Sequence, residues 1–253
     1  MANKHGQTLD IPLNASGDKV GITIAEPTGA KADNLPLSTW GASFILAEQL
    51  HKIDTSAALQ NARQTTEQGG VDHAHQPKVL EIGAGTALVG ITAALLWKSS
   101  VVLTDLPKIV PGIAANISAN QAQLTKAGTH VQCGTLDWTS PNTLTLQGPA
   151  GHENVPLTPA EHKFPIILAA DVLYDEDHPP LLQEVVRTWL APGPESRFVQ
   201  SYPLRIAYLD IIRELWQRYE EAGLECVQEG QVTGDESWDE EAPYEFCVWR
   251  WRE

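Results

Sequence analysis

From Lys78 onward short apolar runs alternate with longer stretches of helical period, a pattern that predicts a parallel sheet covered by helices. Strands are predicted at Lys78 to Ile82, Val101 to Thr104, His130 to Cys133, Ile166 to Ala170 and Arg197 to Ser201, and helices at Thr86 to Trp97, Pro107 to Lys126, Pro179 to Leu190 and Leu204 to Ala222. Two final strand-like runs, Leu224 to Glu229 and Tyr244 to Arg250, are joined by an acidic turn instead of a crossover helix. Ser140 to His162, broken by prolines and glycines, is too irregular for the sheet and reads as a surface insertion.

Ahead of this core, Thr8 to Leu13 and Val20 to Ala25 flank the turn-like Asn14 to Asp18 and predict a hairpin. Gly29 to Pro36 reads as a loop. Ser38 or Thr39 can then cap a helix over Trp40 to Ile53, with Phe44, Ala47, Leu50 and His51 along one face. Asp54 to Gln76, rich in Ala, Gln, Thr and His, reads as a partly helical connection. One domain is expected over residues 1–253, with 1–77 an extension bearing a cofactor-covering helix and 78–253 the catalytic core.

Composition narrows the function. The formal net charge of −15 argues against a nucleic-acid backbone as partner, since phosphate binding needs clustered Lys and Arg. It suits a basic protein segment, or serves solubility alone. No apolar stretch approaches the roughly 20 residues of a membrane helix, and the opening Met-Ala-Asn-Lys-His-Gly leads into no signal-peptide core. The expected location is therefore the cytoplasm, with the nucleus also open to it. Cys133, Cys226 and Cys247 lack metal-like spacing, so no metal site is expected and buried, reduced thiols are.

Residues Val79 to Gly85 read Val-Leu-Glu-Ile-Gly-Ala-Gly, and the next apolar run ends in Thr-Asp at Asp105. Two adjacent parallel strands ending this way form a nucleotide-type cleft: the glycines let the backbone approach a ligand, and Asp105 can take ribose hydroxyls. A dinucleotide fingerprint would have a third glycine where Leu88 stands. Glu81 is a poor neighbour for a pyrophosphate and a tolerable one for a cation, which points to S-adenosylmethionine. Alone, the turn could equally be an ordinary strand-to-helix connection.

Two further pieces sit at strand ends. Ala170-Asp171-Val172-Leu173-Tyr174 closes the fourth core strand with Asp-x-x-Tyr, placing Asp171 and Tyr174 toward the transferred methyl; the other reading is a capping aspartate beside a half-buried tyrosine. Asp137-Trp138 follows the third strand, where the indole can lie against adenine and Asp137 can accept from its amino group, unless Trp138 is a core aromatic. Acidic runs at Asp175, Glu176 and Asp177, and at Asp235, Glu236, Asp239, Glu240 and Glu241 around Trp238, could rim the cleft or be solvated loops.

The set Trp40, Glu81-Ile-Gly-Ala-Gly-Thr, Asp105, Asp137-Trp138 and Ala170-Asp171-Val-Leu-Tyr174 resembles methyltransferase family 16, seven-strand enzymes that include many eukaryotic protein lysine methyltransferases. The resemblance runs from about Trp40 to the carboxyl terminus. It implies a Rossmann-like α/β sheet of seven strands with an antiparallel last strand, S-adenosylmethionine as cofactor and S-adenosylhomocysteine as product. It implies cofactor contacts from Trp40, Gly83, Ala84, Gly85, Asp105, Trp138 and Ala170, and a catalytic role for Asp171 and Tyr174. One departure is Gly41, where the family commonly has an apolar or acidic residue.

The expected activity is protein N-methylation, on lysine, by a monomer acting on a basic segment of a translation factor or chaperone. A small-molecule N- or O-methyltransferase and a non-catalytic scaffold are the alternatives. A nucleic-acid amino-methyltransferase would carry two prolines where Val172 and Leu173 stand.

Overall fold

A computed structural model of the chain describes residues 6–25, 31–32, 35–36, 39–60, 77–148, 153–234 and 243–253. The Ser38 cap, residues 61–76 of the predicted connection, the acidic run from Asp235 to Glu241 with Trp238, and the opening residues Met1 to His5 lie outside the described residues.

Strands β1 (Gln7–Pro12) and β2 (Lys19–Ile24) pair antiparallel, each one residue earlier than the sequence pattern suggests. The turn is tied by Asn14, whose side-chain oxygen accepts from Ser16 N–H at 2.9 Å and whose amide donates to Asp18 at 2.8 Å. Within the stretch read as a loop, β3 (Lys31–Ala32) and β4 (Leu35–Pro36) make a small antiparallel pair. Helix α1 (Gly41–Gln49) starts later and ends earlier than predicted, running into a 3-10 turn over Leu50–Lys52. Its N-cap position is Trp40, in extended backbone and without a side-chain capping bond, one residue after Thr39, whose hydroxyl lies 3.0 Å from that of Thr86.

The core then runs β5 (Val79–Ile82), α2 (Leu88–Trp97), β6 (Val101–Asp105), α3 (Val110–Ala119), α4 (Gln121–Ala127), β7 (Val131–Thr135), β8 (Leu144–Leu146), β9 (Val155–Leu157), β10 (Ile166–Ala170), α5 (His178–Trp189), β11 (Arg197–Pro203), a 3-10 turn at Ile206–Tyr208, α6 (Leu209–Glu221), β12 (Leu224–Val232) and β13 (Tyr244–Trp251). The strand order is β12-β13-β11-β10-β5-β6-β7-β8-β9. Strands β7, β6, β5, β10 and β11 are parallel, and β13 is inserted antiparallel between β11 and β12, as the short acidic stretch of sequence before it suggests. The order reverses between β5 and β10, the switch point outside whose carboxyl ends such sheets bind ligands.

Two expectations need correction here. Among the described residues the sheet has nine strands, because the insertion after Ser140 is not outside it: Leu144 and Leu146 alternate inward, β8 pairs antiparallel with β7, and β9 pairs antiparallel with β8 at the edge. The single helix predicted over Pro107 to Lys126 breaks at Asn120 (φ −104°, ψ 4°). There the Asn120 side chain donates back to the Asn116 carbonyl at 2.8 Å, competing with the helix's own bonding.

Alternation at period two divides the core. Val79, Leu103, Ile166, Leu168 and Val199 face α1 to α4 and the hairpin, while Leu80, Ile82, Val102, Ile167 and Phe198 face α5 and α6. Helix α2 is buried on nearly every side because it lies between the sheet and the hairpin; among the described residues no helix is long and apolar enough to cross a membrane.

The hairpin is fastened by a ladder of buried amides. Asn116 accepts from Ala25 N–H (2.8 Å) and donates to Ala25 C=O (3.1 Å); Asn120 accepts from Thr23 N–H (3.0 Å) and donates to Thr23 C=O (2.8 Å). Four residues of helix rise about 6 Å and two residues of strand span about 6.7 Å, so one turn of α3 matches alternate residues along the edge of β2. Gln123 adds a bond to Gly21 C=O at 3.0 Å.

Candidate functional site

The turn after β5 is built by backbone conformations that few residues tolerate. Gly83 (φ 63°) and Gly85 (φ 51°) are left-handed, and so is Ala87 (φ 71°), which precedes α2. Ala84 N–H donates to Thr104 C=O at 2.9 Å and Gly85 N–H to the Asp105 carboxylate at 2.9 Å, while Leu106 N–H reaches the other Asp105 oxygen at 2.7 Å. The ends of β5 and β6 are thus stitched together with Asp105 at their seam. These two amide bonds fix both oxygens of Asp105 at the seam of the strand ends. Among the described residues nothing lies within 4 Å of where a Cβ on Gly85 would sit, so the turn opens onto space there.

Glu81 lies beneath this turn. It is 2% exposed and its carboxylate accepts from Gly90 N–H, in the first turn of α2, at 2.9 Å. Burial pushes its carboxyl up to about 8, against the pull of the Gly90 bond and with a small addition from the Asp105 charge. A Cβ on Gly90 would collide with Leu103 and come within 2.5 Å of the Glu81 oxygen. The glycine that lets helix and sheet close together is therefore Gly90, two positions beyond Leu88.

Asp171 follows β10 in the left-handed region (φ 56°), rare for a residue with a side chain. Its N–H bonds Ser201 C=O at 2.9 Å, holding the chain to β11. With Trp40, Tyr174 and Asp175 it lines a cavity of about 530 Å³. Three further lining residues carry no sequence pattern that singles them out: His178, Arg205 and Tyr208. His178 opens α5 and stands edge-to-face with both Tyr174 (4.5 Å between ring centroids) and Trp138 (5.5 Å), so one imidazole joins the two aromatic candidates. Arg205 sits 4.0 Å from the Asp171 carboxylate and 5.7 Å from the Tyr208 ring centroid.

One contact joins turn and cavity. A Cβ on Gly83 would lie 2.7 Å from Val172 and 3.3 Å from the Trp138 ring. The residue after Asp171 and the indole after β7 therefore both pack onto the first glycine of the turn. Ala170, the last residue of β10, is buried beside them. Asp137 is exposed, and one of its oxygens accepts from both Thr139 N–H (2.9 Å) and the Thr139 hydroxyl (2.7 Å), bonds that hold its carboxyl below the usual carboxylate range. This small turn orients Trp138.

Gly41 also has a physical reason. A Cβ there would drive into the phenol of buried Tyr244, the first residue of β13, so the glycine lets α1 start directly against the sheet and leaves Trp40 at the cavity wall. Among the described residues no group of three or more His, Cys, Asp or Glu is placed to hold a metal ion.

A family model described as lysine methyltransferase matches residues 17–207, from the hairpin turn to the cavity's far wall. Protein-lysine N-methyltransferase EFM2 of Saccharomyces cerevisiae is 32% identical over 228 residues, covering 86% of this chain and 48% of that protein. Protein-lysine N-methyltransferase rrg1 of Schizosaccharomyces pombe is 30% identical over 234 residues, covering 92% of this chain and 67% of its own. Protein-lysine methyltransferase METTL21E of Bos taurus is 40% identical over 111 residues, covering 44% and 32%. The chain thus spans between a third and two thirds of the length of these relatives.

Proposed function

Because the chain belongs to the lysine methyltransferase family, we propose that it transfers a methyl group from S-adenosylmethionine to the side-chain nitrogen of a lysine in a protein, acting as a monomer with residues 78–253 as its catalytic core. The observation that carries this reading is the packing of Val172 and Trp138 onto Gly83, which sets the glycine turn directly against the cavity of Asp171 and Tyr174.

The residues present suit the cofactor. Among the described residues the turn opens at Gly85, Asp105 stands at the strand seam as an acceptor for ribose hydroxyls, and no phosphate-type third glycine is needed for a donor without phosphate. Trp138, packed on Gly83, would lie against the adenine with Asp137 accepting from its amino group, and Trp40 at the cavity wall and Ala170 at the end of β10 would complete the cofactor contacts. Glu81 acts from below the turn, through its bond to Gly90 N–H in α2. The cofactor supplies a methyl group on a positively charged sulfur, open to in-line displacement.

The chain's part is alignment. Asp171 orients the incoming nitrogen by accepting its N–H, and Tyr174, braced by His178, walls the channel and offers its ring or hydroxyl to the amine. A lysine with a reference pKa near 10.4 must first lose its proton, at a cost of roughly 4 kcal/mol at neutral pH. Asp175 at the cavity rim and the acids beside it draw in a basic segment of the substrate.

Incubating the chain with tritiated S-adenosylmethionine and an extract from Saccharomyces cerevisiae lacking EFM2 tests this. Label in a discrete protein band, absent with Asp171→Ala, supports the proposal. Label confined to small metabolites favours the small-molecule alternative, and no label in either fraction defeats the enzymatic reading.

A further inference from the structure

We propose that Arg205 is a positioning residue that acts through Asp171 to keep the entering lysine uncharged; this rests on the lysine-transfer reading of the same cavity. The Asp171 side chain is 7% exposed and faces the Arg205 guanidinium at 4.0 Å, with Arg205 itself 29% exposed at the cavity's far wall. The pair links two elements of different origin: Asp171 from the end of β10 and Arg205 from the end of β11.

A carboxylate alone at the bottom of a methyl-transfer cavity works against the reaction. It stabilises an ammonium, which has no lone pair to offer. A guanidinium stays charged throughout the working pH range, so Arg205 already compensates Asp171 before any substrate enters. A second cation then meets a paired carboxylate and a repelling neighbour, whereas a neutral amine can donate an N–H to Asp171 and keep its lone pair. Of the other groups lining the cavity, Asp175 adds a negative charge, accepting from Asp177 N–H at 3.0 Å in the turn that starts α5, and serves to attract the basic segment, so that Arg205 is the cation set against Asp171 itself; His178 stands edge-to-face with the Tyr174 and Trp138 rings, Tyr174 and Tyr208 are phenols, and Trp40 carries no charge. Tyr208 lies 5.7 Å from the guanidinium and helps keep Arg205 over the cavity.

The test follows kcat and KM across about pH 6 to 10 for the chain and for Arg205→Met and Arg205→Lys. The probes are S-adenosylmethionine and the yeast protein that the unaltered chain labels. A positive charge about 6 Å from the amine at intermediate dielectric is worth about one pH unit. Arg205→Met should therefore move the acid limb of kcat up by about one unit, a tenfold loss at fixed pH on that limb, while KM for the protein stays level or falls. Arg205→Lys keeps the charge and should keep the limb. An unmoved limb in Arg205→Met, or a loss spread evenly over pH with a higher KM, overturns the inference while leaving lysine transfer intact. Failure of the unaltered chain to label any protein defeats the lysine-transfer reading itself, and this inference with it.

Discussion

Replacing Glu81 by Gln should make the protein more stable at neutral pH, and by an amount that grows with pH. In the folded chain the Glu81 carboxyl holds its proton to about 8, because burial outweighs its one bond from Gly90, whereas its ordinary value is 4.5. The group therefore favours the folded state fully below the ordinary value, and that contribution is lost as pH rises toward 8. At about 1.36 kcal/mol per unit, the loss across the window amounts to roughly 5 kcal/mol, a large share of the stability of an ordinary domain. Gln keeps an oxygen for Gly90 N–H and has no proton to lose. Urea unfolding of both chains between about pH 5 and 8 reads the difference directly. Carboxylates such as Asp54, Asp137 and Glu184, which sit below their ordinary values and gain stability with rising pH, cancel in that difference. The stability gap should widen in favour of Gln by about 1 kcal/mol or more per pH unit. Parallel profiles, with a gap constant to about 0.5 kcal/mol, would refute a buried, proton-bearing Glu81.

The amide ladder under the hairpin gives a second test. Asn120→Ala removes both bonds to Thr23 and leaves its backbone groups without them, which should cost about 2–4 kcal/mol in urea unfolding and speed hydrogen exchange at Thr23. Gly83→Ala imposes a left-handed alanine that presses on Val172, so calorimetry should show S-adenosylmethionine binding weakened at least about tenfold. Asp171→Asn should leave that binding within about twofold while lowering kcat on the protein substrate by about a hundredfold or more, as the role proposed for Asp171 in meeting the amine requires.

Much of this was readable from the chain because parallel strands buried on both faces appear as unbroken apolar runs. Ile166–Ala170 is such a run, Val79–Ile82 is interrupted only by Glu81, Val101–Asp105 closes on Thr104 and Asp105, and the candidate site residues lie at or just after these ends. The antiparallel last strand is legible from the short, acidic, hairpin-like sequence before Tyr244. Other features depend on partners far along the chain. The break at Asn120 exists because its amide is committed to Thr23, and apolar periodicity runs straight through it. Gly41 is explained by Tyr244, which sequence spacing does not bring near it. Strands β8 and β9 have three residues each, too few to establish a period among prolines and glycines. His178 and Arg205 were missed at the site for the same reason. Each is a single polar residue at the start of an element, and only the fold sets one against Tyr174 and Trp138 and the other against Asp171.

Tandem mass spectrometry of the protein band labelled by the purified chain with S-adenosylmethionine tests the central claim most directly. The expected spectrum places the added methyl on the side-chain nitrogen of a lysine within a basic segment, with the same peptide unmodified when Asp171→Ala is used. Methylation found on arginine, histidine or a carboxylate, or on a lysine equally well with Asp171→Ala, would contradict the account.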